Sequence, residues 1–145
     1  MTQSPQTSQT SQPPTTPLTE DEEKTVRSAA VRAGALVSRA EPGFFDTFKE
    51  SFAASKAVKA ASPEVQRLLT GGFPEMPSGG RDEVDARTLE LLRQSVGILR
   101  EKAPHLLTEY RAVVLTSVRD VAAAADDTSD SESAAIAEVE QALAD

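Results

Sequence analysis

Alanine is the residue from which this chain's interior has to be built. It fills 22 of the 145 positions, against five Phe, one Tyr and no Trp. Ala is the strongest helix former and brings little bulk, so this usage favours helices that approach one another closely and argues against a sheet. The length leaves room for one domain with one thin core. The expected fold class is all-α, a single-domain bundle of five to six helices.

Apart from Met1 and Leu18, residues 1–18 are Ser, Thr, Gln and Pro, with almost nothing to bury. They read as a disordered tail that cannot offset its ordering entropy. The helical domain then occupies 19–145. Thr19 and Glu22 form a capping box, and the acids Glu20 to Glu23 sit at the positive end of the helix dipole. Val26, Ala30, Ala33, Val37 and Ala40 share one face of this helix, which Pro42 and Gly43 end. A second helix carries Phe44, Phe45, Phe48 and Phe52, a spacing that predicts a buried stripe, with Lys49, Lys56 and Lys59 on its wet faces. Ser62 and Pro63 start a short helix that Gly71 stops.

Residues 71–81 are rich in Gly and Pro and predict a flexible connection between two halves of the bundle. No Lys-Ser/Thr pair follows these glycines and no strand precedes them, so they make no phosphate-binding loop. The fourth helix, from about Asp82 to Lys102, presents a seam of Leu89, Leu92, Val96 and Leu99. Pro104 opens a fifth, lined on one side by Leu106, Tyr110, Val113, Ser117, Val121 and Ala124. The sole histidine, His105, falls in its first turn and reads as a surface or helix-terminus residue.

Charge is unevenly placed. From Met1 to Arg119, 15 acidic residues balance 15 basic ones, so the net charge of −8 belongs to Asp120 to Asp145, where no Lys or Arg occurs. Such a segment repels phosphate backbones, so no nucleic-acid partner is expected. Cys is absent, which removes disulfides, thiolate nucleophiles and Cys-ligated metals. The N-terminus lacks the basic and apolar regions of a secretory signal, and the longest apolar run, Val121 to Ala125, is too short to span a bilayer. A cytoplasmic location without membrane insertion is the expectation. Lone His105 and the lack of a Gly-x-Ser-x-Gly elbow argue against an enzyme.

The acids crowd where two helices meet. Asp126, Asp127, Asp130 and Glu132 surround a tight turn, and Ser129 with Glu132 makes a second capping box, which starts a helix carrying Ile136, Val139 and Leu143 inward. Capping accounts for Ser129 and Glu132, whereas the four acids together also offer hard oxygen ligands to Ca2+ or Mg2+. The spacing is not that of an EF-hand, because Glu132 falls where that loop needs glycine.

The run from Ala125 to Glu132 resembles the Ala-Asp-Gly-x-Ser-x-x-Glu signature of the tellurite-resistance TerB-like helical domains, with Asp127 at the family's Gly. The resemblance implies two pseudo-symmetric helical halves, each with an acidic loop, and a cation held by the acids. It places Ala40 and Glu41 at the corresponding point of the first half, where Pro42, Gly43, Phe44 and Phe45 replace the polar part of the loop. Glu41 and Asp126 are then the most transferable positions. The functional expectation is a non-enzymatic, stress-associated binding or scaffolding domain whose partner is another protein. Two alternatives stay open: a plain helical interaction module whose acidic end meets a basic partner without metal, and a small hydrolase using a carboxylate pair.

Overall fold

The computed structural model describes residues 17–38, 52, 54–76, 78–124 and 130–144. Among them are six α-helices and no strand, the all-α bundle expected. The tail through residue 16 lies outside the described residues. Leu18, assigned to the tail by composition, packs against the core.

The capping box forms as the sequence predicts. Thr19 N donates to Glu22 Oε1 at 2.9 Å and Glu22 N donates to Thr19 Oγ1 at 3.1 Å. Helix α1 follows over Glu20–Ser38. Its predicted face is buried at Val26, Ala30, Ala33 and Val37, but so are Arg27, Ser28, Ala29, Val31, Arg32 and Leu36. It is therefore the central helix, not an amphipathic one lying on the surface.

The second predicted helix differs from expectation. Phe44, Phe45, Phe48 and Lys49 lie outside the described residues, and Phe52 is buried. A continuous helix to Lys59 is interrupted at Ser55, which adopts an extended conformation and caps a one-turn helix, α2, Lys56–Lys59. Ser has a low cost for leaving the helix here, because its hydroxyl accepts from Val58 N at 3.3 Å.

Helix α3, Pro63–Thr70, begins at the Ser62 cap. Ser62 also bonds outward: its N and Oγ donate to the two carboxylate oxygens of Glu109 at 2.8 and 2.7 Å. After the 71–80 connection, α4 spans Arg81–Lys102. Gly79, at φ +94°, supplies the left-handed backbone that lets Gly80 N reach Glu83 Oε1 at 3.0 Å. Ala103 alone separates α4 from α5, Pro104–Ala124, since the residue before Pro is driven out of helical conformation. Helix α6, Asp130–Ala144, starts one residue after Ser129, where the second capping box places it.

The predicted seams pack inward. Leu92, Val96 and Leu99 of α4, Leu106, Tyr110, Val113 and Ser117 of α5, and Val139 and Leu143 of α6 are buried, with Leu89 and Ile136 at the margin. Helix α1 lies most extensively on α4, and also on α5, α3 and α6. Its fully enclosed Ala29 and Ala33 offer no side-chain bulk to hold neighbours apart. His105 is exposed and faces Glu64 at 3.5 Å. No helix among the described residues is long and apolar enough to cross a membrane.

At the centre, the wholly buried Tyr110 hydroxyl donates to Val26 O at 2.9 Å, and its burial pushes its pKa far up, so it stays protonated. Tyr110→Phe is expected to lower stability by about 1 kcal/mol, the net worth of such a bond. Urea titration measures it, and an unchanged midpoint would show that the bond contributes nothing.

Candidate functional site

The connection between α3 and α4 holds the least expected chemistry in the chain. Glu75 is the only charged residue between Arg67 and Arg81. Its N–H donates to Ser28 Oγ at 2.6 Å, which ties the middle of the loop to α1. Its carboxylate is then gripped from two helices. Arg32 of α1 donates from Nη1 to Oε2 at 2.7 Å, and Arg87 of α4 donates from Nε to Oε2 and from Nη2 to Oε1 at 3.1 and 3.0 Å. The Arg87 fork is bidentate, the strongest guanidinium–carboxylate geometry.

The local sequence explains the convergence. Ser28 and Arg32 are one turn apart on α1, so both face the same stretch of loop. Arg32 is 2% exposed, and each of its three nitrogens is engaged: Nη1 with Glu75, Nε with Thr88 Oγ1 at 3.3 Å and Nη2 with Val84 O at 3.3 Å. Burial holds the Arg32 pKa below its ordinary value, and Glu75 offsets part of this. The Arg87 bonds, ahead of Arg32, hold the Glu75 carboxyl below its ordinary range. Arg87 itself is raised by Glu75 and by Glu90, which accepts from its Nη1 at 2.8 Å. The connection expected to be flexible is thus anchored at its centre by a network of charged hydrogen bonds.

The same loop turns two large apolar side chains to solvent on either side of that anchor. Phe73 is 79% and Met76 51% exposed, while Pro74 between them is buried. They are the two exposed large hydrophobics among the described residues. A shallow groove of about 390 Å3 elsewhere, between the start of α1 and α4, is lined by Glu22, Gln94, Gly97, Ile98, Glu101 and Lys102. Its charged pair is already in use, since Lys102 Nζ donates to Glu22 Oε1 at 2.7 Å and Glu22 caps α1.

The sequence-predicted metal residues fall elsewhere. Glu41, Asp126 and Asp127 lie outside the described residues. Asp130 and Glu132 are in the first turn of α6, with their side chains outside the described set. Among the described residues no group of three or more His, Asp or Glu is placed to hold a metal ion. Helical periodicity overlooked Ser28, Arg32, Glu75 and Arg87, because their partnership crosses from helix to loop. The signal available was a lone acid between a Phe and a Met inside a Gly- and Pro-rich segment.

Comparison with protein-family models, with curated proteins and with solved structures gives no match to this chain.

Because the folded-state pKa of Glu75 is depressed, its contribution to stability is complete above the ordinary value of 4.5 and is lost as pH falls through the folded value. Glu75→Gln is expected to destabilise by about 1–3 kcal/mol at neutral pH, by leaving Arg32 without its anion. It should also flatten the loss of stability below pH 5. Denaturant midpoints at pH 7 and pH 3.5 check this, and an equal gap between the two proteins at both pH values would refute the role of the charge.

Proposed function

We propose that this chain is a non-enzymatic binding or scaffolding domain that engages a partner protein through the α3–α4 loop, with Phe73 and Met76 as its anchors. One observation carries the reading: the two large apolar side chains most exposed among the described residues flank Glu75, which ion pairs tie to two helices. Isolated surface apolars are ordinary, but two on one anchored loop form a small projecting surface. Covering a Phe or Met side chain contributes about 1.5–3 kcal/mol each. Anchoring at Glu75 removes much of the loop ordering that binding would otherwise cost, so more of that gain appears as affinity. Aromatic anchors surrounded by polar groups are the usual composition of an interface centre.

The partner is expected to offer a concave apolar surface to Phe73 and Met76. This reading stands independently of the TerB-like resemblance and of any cation at the acidic junction between α5 and α6.

A photo-crosslinking residue at position 73 or 76 should give one dominant protein adduct in native lysate, whereas the same group at the exposed Glu138 of α6 should not. Phe73→Ser with Met76→Ser should abolish capture of that protein while leaving stability within about 0.5 kcal/mol, as for other surface changes. Equal adducts from positions 73 and 138, or capture that survives the double substitution, would remove the loop from the function.

A further inference from the structure

Helix α1 buries a second arginine, and its state is the opposite of Arg32's. Arg27 is 7% exposed, its Nε is enclosed without a hydrogen-bond partner, and among the described residues its guanidinium makes no ion pair. Burial lowers its pKa, and the charge of Glu23, one turn earlier, opposes this from beyond ion-pair distance. A guanidinium remains charged even so. A guanidinium whose Nε is enclosed without a partner is costly unless something neutralises it.

The guanidinium lies directly beneath the start of the proposed contact loop. A methyl group built on Gly72 would stand 2.9 Å from Nη1, 3.2 Å from Cζ and 3.5 Å from Nη2 of Arg27, and one on Gly71 would stand 3.8 Å from Nη2. Gly71 and Gly72 are themselves exposed. Gly71 and Gly72 therefore leave the guanidinium face without a side chain over it, immediately before the exposed Phe73. Any other residue at position 72 would press its Cβ on the guanidinium.

We infer that Arg27, at the Gly71–Gly72 edge of the loop, is a receiving site for a single carboxylate from the partner that Phe73 and Met76 engage. The inference rests on the loop being the contact surface and adds the chemistry of what it contacts: an acidic side chain or chain terminus beside an apolar segment. Carboxylate is favoured over phosphate for two reasons. Arg27 offers one positive charge. The carbonyl end of α3, with Arg67 O beside Gly71, and the nearby Glu23 add negative potential that a dianion would feel twice as strongly. A purely structural arginine at this helix end would be expected to bond the last carbonyls of α3, and Arg27 Nε makes no such bond.

The test reads Arg27 directly. Arginine side-chain N–H and backbone amide resonances are followed during addition of sodium acetate, with sodium chloride at equal ionic strength and inorganic phosphate as separate arms. The Arg27 Nε–H and Gly72 amide are expected to shift saturably with acetate, with a dissociation constant on the order of 10–100 mM, as one charged bidentate contact allows. Phosphate should act more weakly and chloride not saturably. Gly72→Val, which covers the guanidinium, should remove the response while the remaining resonances keep their dispersion. Arg27→Met should abolish the Nε signal and raise the melting temperature, since it takes away an enclosed charge. Acetate shifts no larger than those of chloride overturn the inference, and tighter binding of phosphate than acetate overturns its assignment to carboxylate. Failure of the acetate response with crosslinking intact at position 73 would remove the carboxylate alone. Loss of crosslinking with a saturable acetate response would remove the loop reading instead.

Discussion

Everything in this structure depends on a helix that has no outside. From Val26 to Val37, α1 is buried at every position except Ala35, which is half-buried. A helix enclosed all round would ordinarily be apolar all round. This one takes Arg27, Ser28 and Arg32 into the interior, and the rest of the fold has to answer for them. The answer to Arg32 is the loop: Glu75 is brought across from a segment without regular structure to pair with that charge. Thr88 and Val84 of α4 complete the set.

The loop is consequently a lock and a surface together. Its inner residue holds α1 to α4, while Phe73 and Met76 face outward around the buried Pro74. Stability and the proposed contact surface are coupled here by geometry. The two arginines of α1 show two ways of burying a cation: Arg32 is paired with Glu75, whereas Arg27 has no ion-pair partner among the described residues and lies beside the two glycines that open the loop.

Periodicity made most of the helices legible. The capping pairs Thr19–Glu22 and Ser62–Pro63, the Pro104 start, and the inward faces of α4, α5 and α6 follow from local rules and appear where those rules place them. What periodicity cannot register is a helix buried on all sides, since the polar residues of α1 look like an ordinary wet face until Arg32 and Tyr110 are seen against their partners. The interruption at Ser55 was equally hidden, because Ala53, Ala54 and Ala57 around it all favour helix. Charge statistics drew attention to the acidic junction after α5. The loop's chemistry escaped them because Arg32, Arg87 and Glu75 leave little net charge and are far apart in sequence.

The enclosure of α1 also dictates an order of assembly. It is the first of the described helices to be synthesised, yet Tyr110, which reaches Val26, follows 84 residues later, and Ser95, which reaches Thr25 O, 70 residues later. Its contacts are thus among the most distant in the sequence, the kind that close late and slow the search for the native state. Until α4 and α5 emerge, α1 waits with its interior residues uncovered.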